Sequence, residues 1–236
     1  MSVNGRGRER RVAFPEDAPL ATVVVMGPSP VARSRADAAK LKRLHARIRA
    51  CTLCVEAGYL AQAAPVVDGD ITDRVMIVGQ APGIVELVTR MPFSGRAGAE
   101  LRRWLARAGI AEDDLPYRTA ITKCFPGKAV SGTGDRRPSP AEIALCAPWL
   151  EAELALVRPE IIVLLGTLAI DRLWGKAALA DVVGRSKRGR ALGGALLIPL
   201  PHPSGASRWL NDPANRARLG RGLRLLGRTW RDLHLT

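Results

Sequence analysis

His202 lies in the stretch PLPHPSGASRW (199–209), clamped between Pro201 and Pro203 at the end of an apolar run. It is one of three histidines in a chain with 36 lysines and arginines. An imidazole held at the end of a buried strand can donate a hydrogen bond to a developing anion or carry a proton. A lone loop histidine more often does neither, so its neighbours decide. Two other turn-rich stretches also follow apolar runs: GQAPG at 79–83 and KCFPG at 123–127. The first offers Gln80, Ala81, Pro82 and Gly83, with Pro82 and Gly83 shaping a turn that brings backbone amides towards a ligand. Glu86 is the nearest carboxylate after that turn. It can activate water or stabilise a cation, or it can simply open a helix, where negative charge is favoured anyway.

Four cysteines form a second constellation: Cys51 and Cys54 in CTLC, Cys124 in KCFPG, and Cys146. Four thiolates can hold a tetrahedral zinc ion or an iron–sulfur cluster. The alternative is a chance C-x2-C beside two buried thiols. Structural zinc usually uses two short knuckles, and only one is present here, which tilts the reading towards a cluster. Cytosolic thiols stay reduced, which argues against two disulfides.

These residues need elements to position them. Residues 34–50 read as an amphipathic helix with Leu41, Leu44 and Ile48 on one face, and His45 beside that face reads as a surface residue. Four strands follow: RVMIVG ending at Gly79, YRTAITKC ending at Cys124, EIIVLLG ending at Gly166 and ALLIPLP ending at Pro201. Helical stretches separate them, the pattern of a parallel sheet covered on both faces. Ser139, Pro140 and Glu142 make a capping box with proline in the first turn. The last segment, 214–233, places Leu219, Leu223, Leu226, Trp230 and Leu233 on one face and four arginines opposite. Open parallel sheets bind ligands at the carboxyl ends of their strands, so GQAPG, KCFPG and HPSG are expected to converge.

The 236 residues suit one α/β domain over 34–236, preceded by a basic tail over 1–33, rich in Gly, Pro and Arg and expected to be mobile. The net charge of +14 favours an anionic partner, nucleic acid first. No apolar run reaches membrane-spanning length and the basic N-terminus is not followed by the h-region of a secretory signal, so a cytoplasmic location, associated with nucleoid DNA, is expected, and a monomer.

Taken in order, VGQAPG, PFSGRAG, KCFPG, RPSPAE, RPEIIVLLG and HPS resemble the uracil-DNA glycosylase superfamily, in its iron–sulfur branch of families 4 and 5. The resemblance covers roughly residues 40 to 232. It implies a three-layer α/β/α fold around a four-stranded parallel sheet. It implies a four-iron, four-sulfur cluster on Cys51, Cys54, Cys124 and Cys146, with zinc as the alternative. It also implies DNA repair by hydrolysis of the N-glycosidic bond of uracil flipped out of DNA. Phe93 matches the ring that stacks on uracil, with Ser94 beside it, and His202 matches the donor to uracil O2. The loop after His202 (Ser204, Gly205, Ala206, Ser207 and Arg208) matches the one that grips DNA. Lys187 and Arg188, in GRSKRGR, offer a backbone contact.

Departures from the family pattern matter equally. Gln80 stands where family 4 carries Glu, leaving Glu86 as the candidate carboxylate. Ala81 stands where some branches have Asp or Asn. Ala120 replaces the Asn that reads the uracil edge in family 4, as in family 5, which is expected to relax discrimination. The segment 127–137 is longer than the family 4 connection. One branch has a histidine there that bonds to the abasic sugar; this chain has none. Gly205, Ala206 and Ser207 are small where the family has a more apolar wedge, so either Arg208 or Trp209 is expected to fill the gap or the wedge is weak. A protein that binds abasic or damaged DNA with little turnover is the competing expectation.

Overall fold

The computed structural model describes residues 34–131, 134–204 and 208–234; the tail expected over 1–33 lies outside them. The strands are β1 (Val75–Gly79), β2 (Tyr117–Ala120), β3 (Ile161–Leu165), β4 (Lys187–Gly189) and β5 (Ala195–Leu200). The helices are α1 (Arg35–Arg49), α2 (Leu53–Glu56), α3 (Ile84–Thr89), α4 (Arg96–Arg107), α5 (Pro140–Val157), α6 (Gly166–Leu173), α7 (Leu179–Val182) and α8 (Pro213–His234).

The sheet runs β2-β1-β3-β5-β4. Its first four members pair in parallel, as the apolar runs led one to expect. The fifth is a correction to the four-stranded expectation: β4 lies antiparallel on the edge of β5. Its sequence, KRG, has no apolar or β-branched residue to signal a strand, and its pairing is set by β5 alone. A short, cationic edge strand is also a poor template for further pairing. The second strand ends earlier than its sequence suggests, at Ala120, because residues 121–124 leave the ladder. There Thr122 N–H donates to Gln80 O (3.2 Å) and Val66 N–H to Lys123 O (2.8 Å).

Side chains alternate across the sheet, as period two requires. Met76, Val78, Ile162, Leu164 and Leu197 pack with α1, α5 and α6. Val75, Ile77, Ile161, Val163, Leu165, Ile198 and Leu200 pack with α4 and α8. Helices therefore cover both faces, giving three layers. Ser139 caps α5 through the expected box, accepting from Glu142 N–H at 3.2 Å while Glu142 Oε2 accepts from Ser139 N–H at 2.7 Å.

His45 is not on the surface. It is buried, and its Nε2 lies 2.6 Å from Tyr117 Oη. Tyr117 in turn donates to Glu153 Oε1 (3.0 Å), and Lys123 Nζ pairs with Glu153 Oε2 at 2.5 Å. Lys123 also donates to Thr119 Oγ1 and to Ala120 O. Glu153 and Lys123 are sealed from solvent, so each charge depends on its partner. The network fixes the end of β2 against α5.

Candidate active site and cysteine centre

An open cavity of about 860 Å³ lies at the carboxyl ends of the parallel strands, the location favoured by open α/β sheets and within the size range of small-molecule sites. Gln80, Ala81, Pro82, Gly83 and Glu86 line it from the β1 side, Phe93 from the next loop, Ala120 from β2, and His202 and Ser204 from the end of β5. The three strand-end stretches thus converge.

His202 is positioned from two sides. Ser204 N–H donates to its Nδ1 at 3.2 Å. That bond makes Nδ1 the acceptor, so the neutral ring carries its proton on Nε2. Burial holds the imidazole below its ordinary range, opposed by the Asp135 carboxylate. The ring therefore stands as a neutral donor. Behind it, Gly166 opens α6 with φ +82°, and a Cβ there would lie 3.1 Å from His202 Cβ. Only a residue without a side chain lets β3 turn into α6 so close to the histidine.

Phe93 is one of three non-glycine residues with positive φ (54°) among the described residues. Its carbonyl accepts from Arg102 Nη1 at 3.1 Å, and it approaches Gly98 so closely that a Cβ there would fall 1.6 Å from Phe93 O. The strained turn aims the ring over the end of β1, where a Cβ on Gly79 would meet Phe93 Cζ at 3.0 Å. This is a built presentation of an aromatic face.

Glu86 is buried, and both its oxygens are engaged: Oε2 accepts from Gly83 N–H (3.0 Å) and Oε1 from Gly95 N–H (2.9 Å). It staples the 79–83 turn to the 92–98 loop, and it takes up the Gly83 amide that the sequence offered to a ligand. Ser94 does not join the cavity lining; its hydroxyl pairs with Thr89 Oγ1 at 2.6 Å.

The DNA-facing candidates separate. Ser204 lines the cavity, and Arg208 is exposed at the start of a 3-10 turn. Gly205, Ala206 and Ser207 lie outside the described residues. Lys187 and Arg188 pair with Leu197 and Leu196, towards the end of β5 far from His202. Lys187 is engaged by Trp174, donating to its carbonyl at 2.6 Å and lying 4.3 Å from its ring centroid; Arg188 donates to Gly194 O. Neither borders the cavity. Three charged residues that sequence reasoning did not single out do border it: Arg96 at the start of α4, and Lys128 and Asp135 in the 127–137 insertion. Arg96 stood inside the PFSGRAG motif. Asp135 had no local signal, lying in a polar, Gly-rich loop.

Cys51, Cys54, Cys124 and Cys146 all line a second, mostly apolar cavity between α2, α5 and the segment after β2. Lys123 N–H donates to Cys146 Sγ at 3.2 Å. Burial pushes the Cys54 thiol up to about 11, helped by Cys124 and Glu142, and the Cys146 thiol up to about 12. Thiolates in that place need a cation beside them. Among the described residues, no three His, Cys, Asp or Glu side chains gather tightly enough for one metal ion.

The family model of the Uracil DNA glycosylase superfamily matches residues 66–233. The chain is 32% identical over 189 residues to a Type-4 uracil-DNA glycosylase of Pyrobaculum aerophilum, covering 78% of this chain and 91% of that protein. It is 33% identical over 159 residues to the Type-4 enzyme of Thermotoga maritima, covering 67% and 78%. It is 37% identical over 120 residues to a Type-5 uracil-DNA glycosylase of Thermus thermophilus, covering 44% and 51%. With this fold, these strand-end motifs and these matches, the chain belongs to the uracil-DNA glycosylase superfamily, alongside its Type-4 and Type-5 members.

Proposed function

We propose that this protein hydrolyses the N-glycosidic bond of deoxyuridine in DNA, releasing uracil and leaving an abasic site. The observation that carries the reading is the convergence of a neutral Nε2 donor on His202 with the strained Phe93 ring in one cavity. A base must leave the helix to reach such a cavity, and an aromatic face offsets the lost stacking. Bond breakage leaves negative charge on uracil. A fixed donor aimed at that charge stabilises the transition state more than the ground state. His202 supplies it at uracil O2, and Phe93 holds the ring.

Gln80 orients water by its amide but is a poor base. Glu86 acts as a brace, holding the two loops that frame the base. Ala120 offers no side-chain amide to read the uracil edge, so discrimination against other bases rests on cavity shape and stacking. DNA is held by cationic residues, with Arg96 and Lys128 lining the cavity together with Ser204, and Arg208 exposed to solvent.

The four cysteines suit an iron–sulfur cluster better than a single zinc ion. Structural zinc usually uses two short knuckles, and only Cys51 and Cys54 form one here, while all four cysteines line one apolar cavity. When bound, the cluster would supply four covalent anchors, joining α2 to the end of β2 and to α5. The residues that do the chemistry lie in the other cavity.

The test is incubation with a uracil-bearing oligonucleotide followed by alkali. Strand scission at the uracil is the expected result. Binding without scission would favour the second reading, recognition of abasic or damaged DNA with little turnover, to which Gln80 and Ala120 lend support.

A further inference from the structure

Residues 127–131 and 134–137 form the two arms of a pinned hairpin. Arg136 N–H donates to Gly127 O (2.9 Å), Ala129 N–H donates to Gly134 O (3.1 Å), and Lys128 and Asp135 face each other across an antiparallel bridge. At its base Arg136 grips Glu142 with two bonds of 2.6 Å, locking the hairpin to the first turn of α5. Glu142 is buried, and this fork is the geometry in which Arg binds carboxylate most firmly. The hairpin is thus held in place beside the cavity.

Asp135 sits one residue from that anchor. Lys128 Nζ donates to its Oδ1 at 2.8 Å. Its Oδ2 faces inward, 3.2 Å from where a Cβ on Gly83 would be. Asp135 shares the cavity with His202, Gln80 and Phe93. The other carboxylate there, Glu86, has both oxygens taken by backbone amides. Gln80, in the strand-end turn, has an amide where a base would be needed.

We propose that Asp135, carried by the insertion, is a catalytic residue: its Oδ2 takes the proton from the water that attacks C1′. The water oxygen bonds to C1′ as the C1′–N1 bond breaks, and that bond's electron pair passes to uracil N1. The negative charge of the carboxylate also opposes the cationic character developing on the sugar. Afterwards the proton on Asp135 passes to solvent, and the uracil anion takes one from solvent. His202 and Asp135 thus serve opposite ends of the breaking bond. Lys128 fixes the carboxylate's orientation through Oδ1.

This inference rests on the glycosylase reading, and the experiment separates the two. Single-turnover release of uracil from a single-stranded oligonucleotide is measured for the wild type, Asp135→Asn and Asp135→Glu. Melting temperature and affinity for DNA carrying a tetrahydrofuran abasic analogue are measured alongside. Loss of a positioned general base costs about 10²–10⁴-fold. Asp135→Asn should slow release by at least about 10²-fold with unchanged melting and affinity. Asp135→Glu should recover at least about tenfold over Asn, because a carboxylate is restored. If the wild type cleaves and Asn stays within about tenfold of it, Asp135 is not the base. If Glu is as slow as Asn, or affinity falls in step with rate, the hairpin serves DNA contact and the proposal is overturned. A wild type that does not cleave overturns the glycosylase reading itself, and this proposal with it.

Discussion

Gly166→Ala should separate the placement of His202 from the stability of the fold. Gly166 has φ +82°, and an added Cβ would stand 3.1 Å from His202 Cβ and 3.3 Å from its Cδ2. Two effects combine. The backbone conformation costs an L-residue about 1–3 kcal/mol, which for a domain of this size lowers melting by roughly 2–12 °C. The contact also pushes the imidazole, and misplacing a catalytic group by about 1 Å can cost about 10²-fold in rate. Gly175 supplies the control. It too has positive φ (+112°), but nothing lies within 4 Å of its added Cβ. Gly175→Ala should therefore lower melting with little change in rate, while Gly166→Ala should lower both. The assay is single-turnover uracil release beside thermal melting of both variants. Equal rates for the two variants at similar melting temperatures would refute the claim that Gly166 sets the histidine's position.

Phe93→Ala removes the stacking face; with about 1–3 kcal/mol per stacked base, uracil release at limiting substrate should fall about 5- to 150-fold, and an unchanged rate would show that the ring does not hold the base. Burial lowers both His45 and His202 from 6.5, so the unfolded chain takes up protons near pH 6.5 that the folded chain refuses until lower pH. Their contribution to stability is therefore fully present above that pH and declines as pH falls below it, which melting curves between about pH 5 and 8 will show. Over the same series uracil release should stay level through pH 6.5, since His202 remains neutral there; a fall centred at or above 6.5 would contradict the neutral donor. The purified protein should be brown with absorbance near 400 nm, as roughly expected of an iron–sulfur cluster, and Cys146→Ser should bleach it and lower its melting temperature. A colourless protein containing zinc would overturn the cluster.

Much of this site was legible because its residues sit at strand ends. The runs VMIVG, IIVLL and ALLIPL are continuous, rich in β-branched or aliphatic residues and only five or six long, the pattern of buried parallel strands, and strands so aligned bring GQAPG and HPSG together. Ser139-Pro-x-Glu142 announced its helix by chemistry local to four residues. What escaped depends on partners remote in sequence. His45 looked like a surface residue because its partner, Tyr117, is 72 positions away. Lys123 and Glu153 looked like ordinary charges until folding sealed them together. Asp135 gained its place from a hairpin whose anchor, Arg136 to Glu142, joins a loop to a helix cap. The strand in KRG had only β5's edge to define it.

In the proposed reaction His202, as a neutral donor on Nε2, stabilises uracil as it leaves. The most direct measurement compares wild type and His202→Ser in single-turnover uracil release and in affinity for abasic-analogue DNA. Loss of one preorganised donor of this kind costs about 10²–10³-fold in rate. A fall of that size is expected, with affinity for DNA nearly unchanged. Full activity in His202→Ser, or a loss of rate matched by an equal loss of binding, would contradict it.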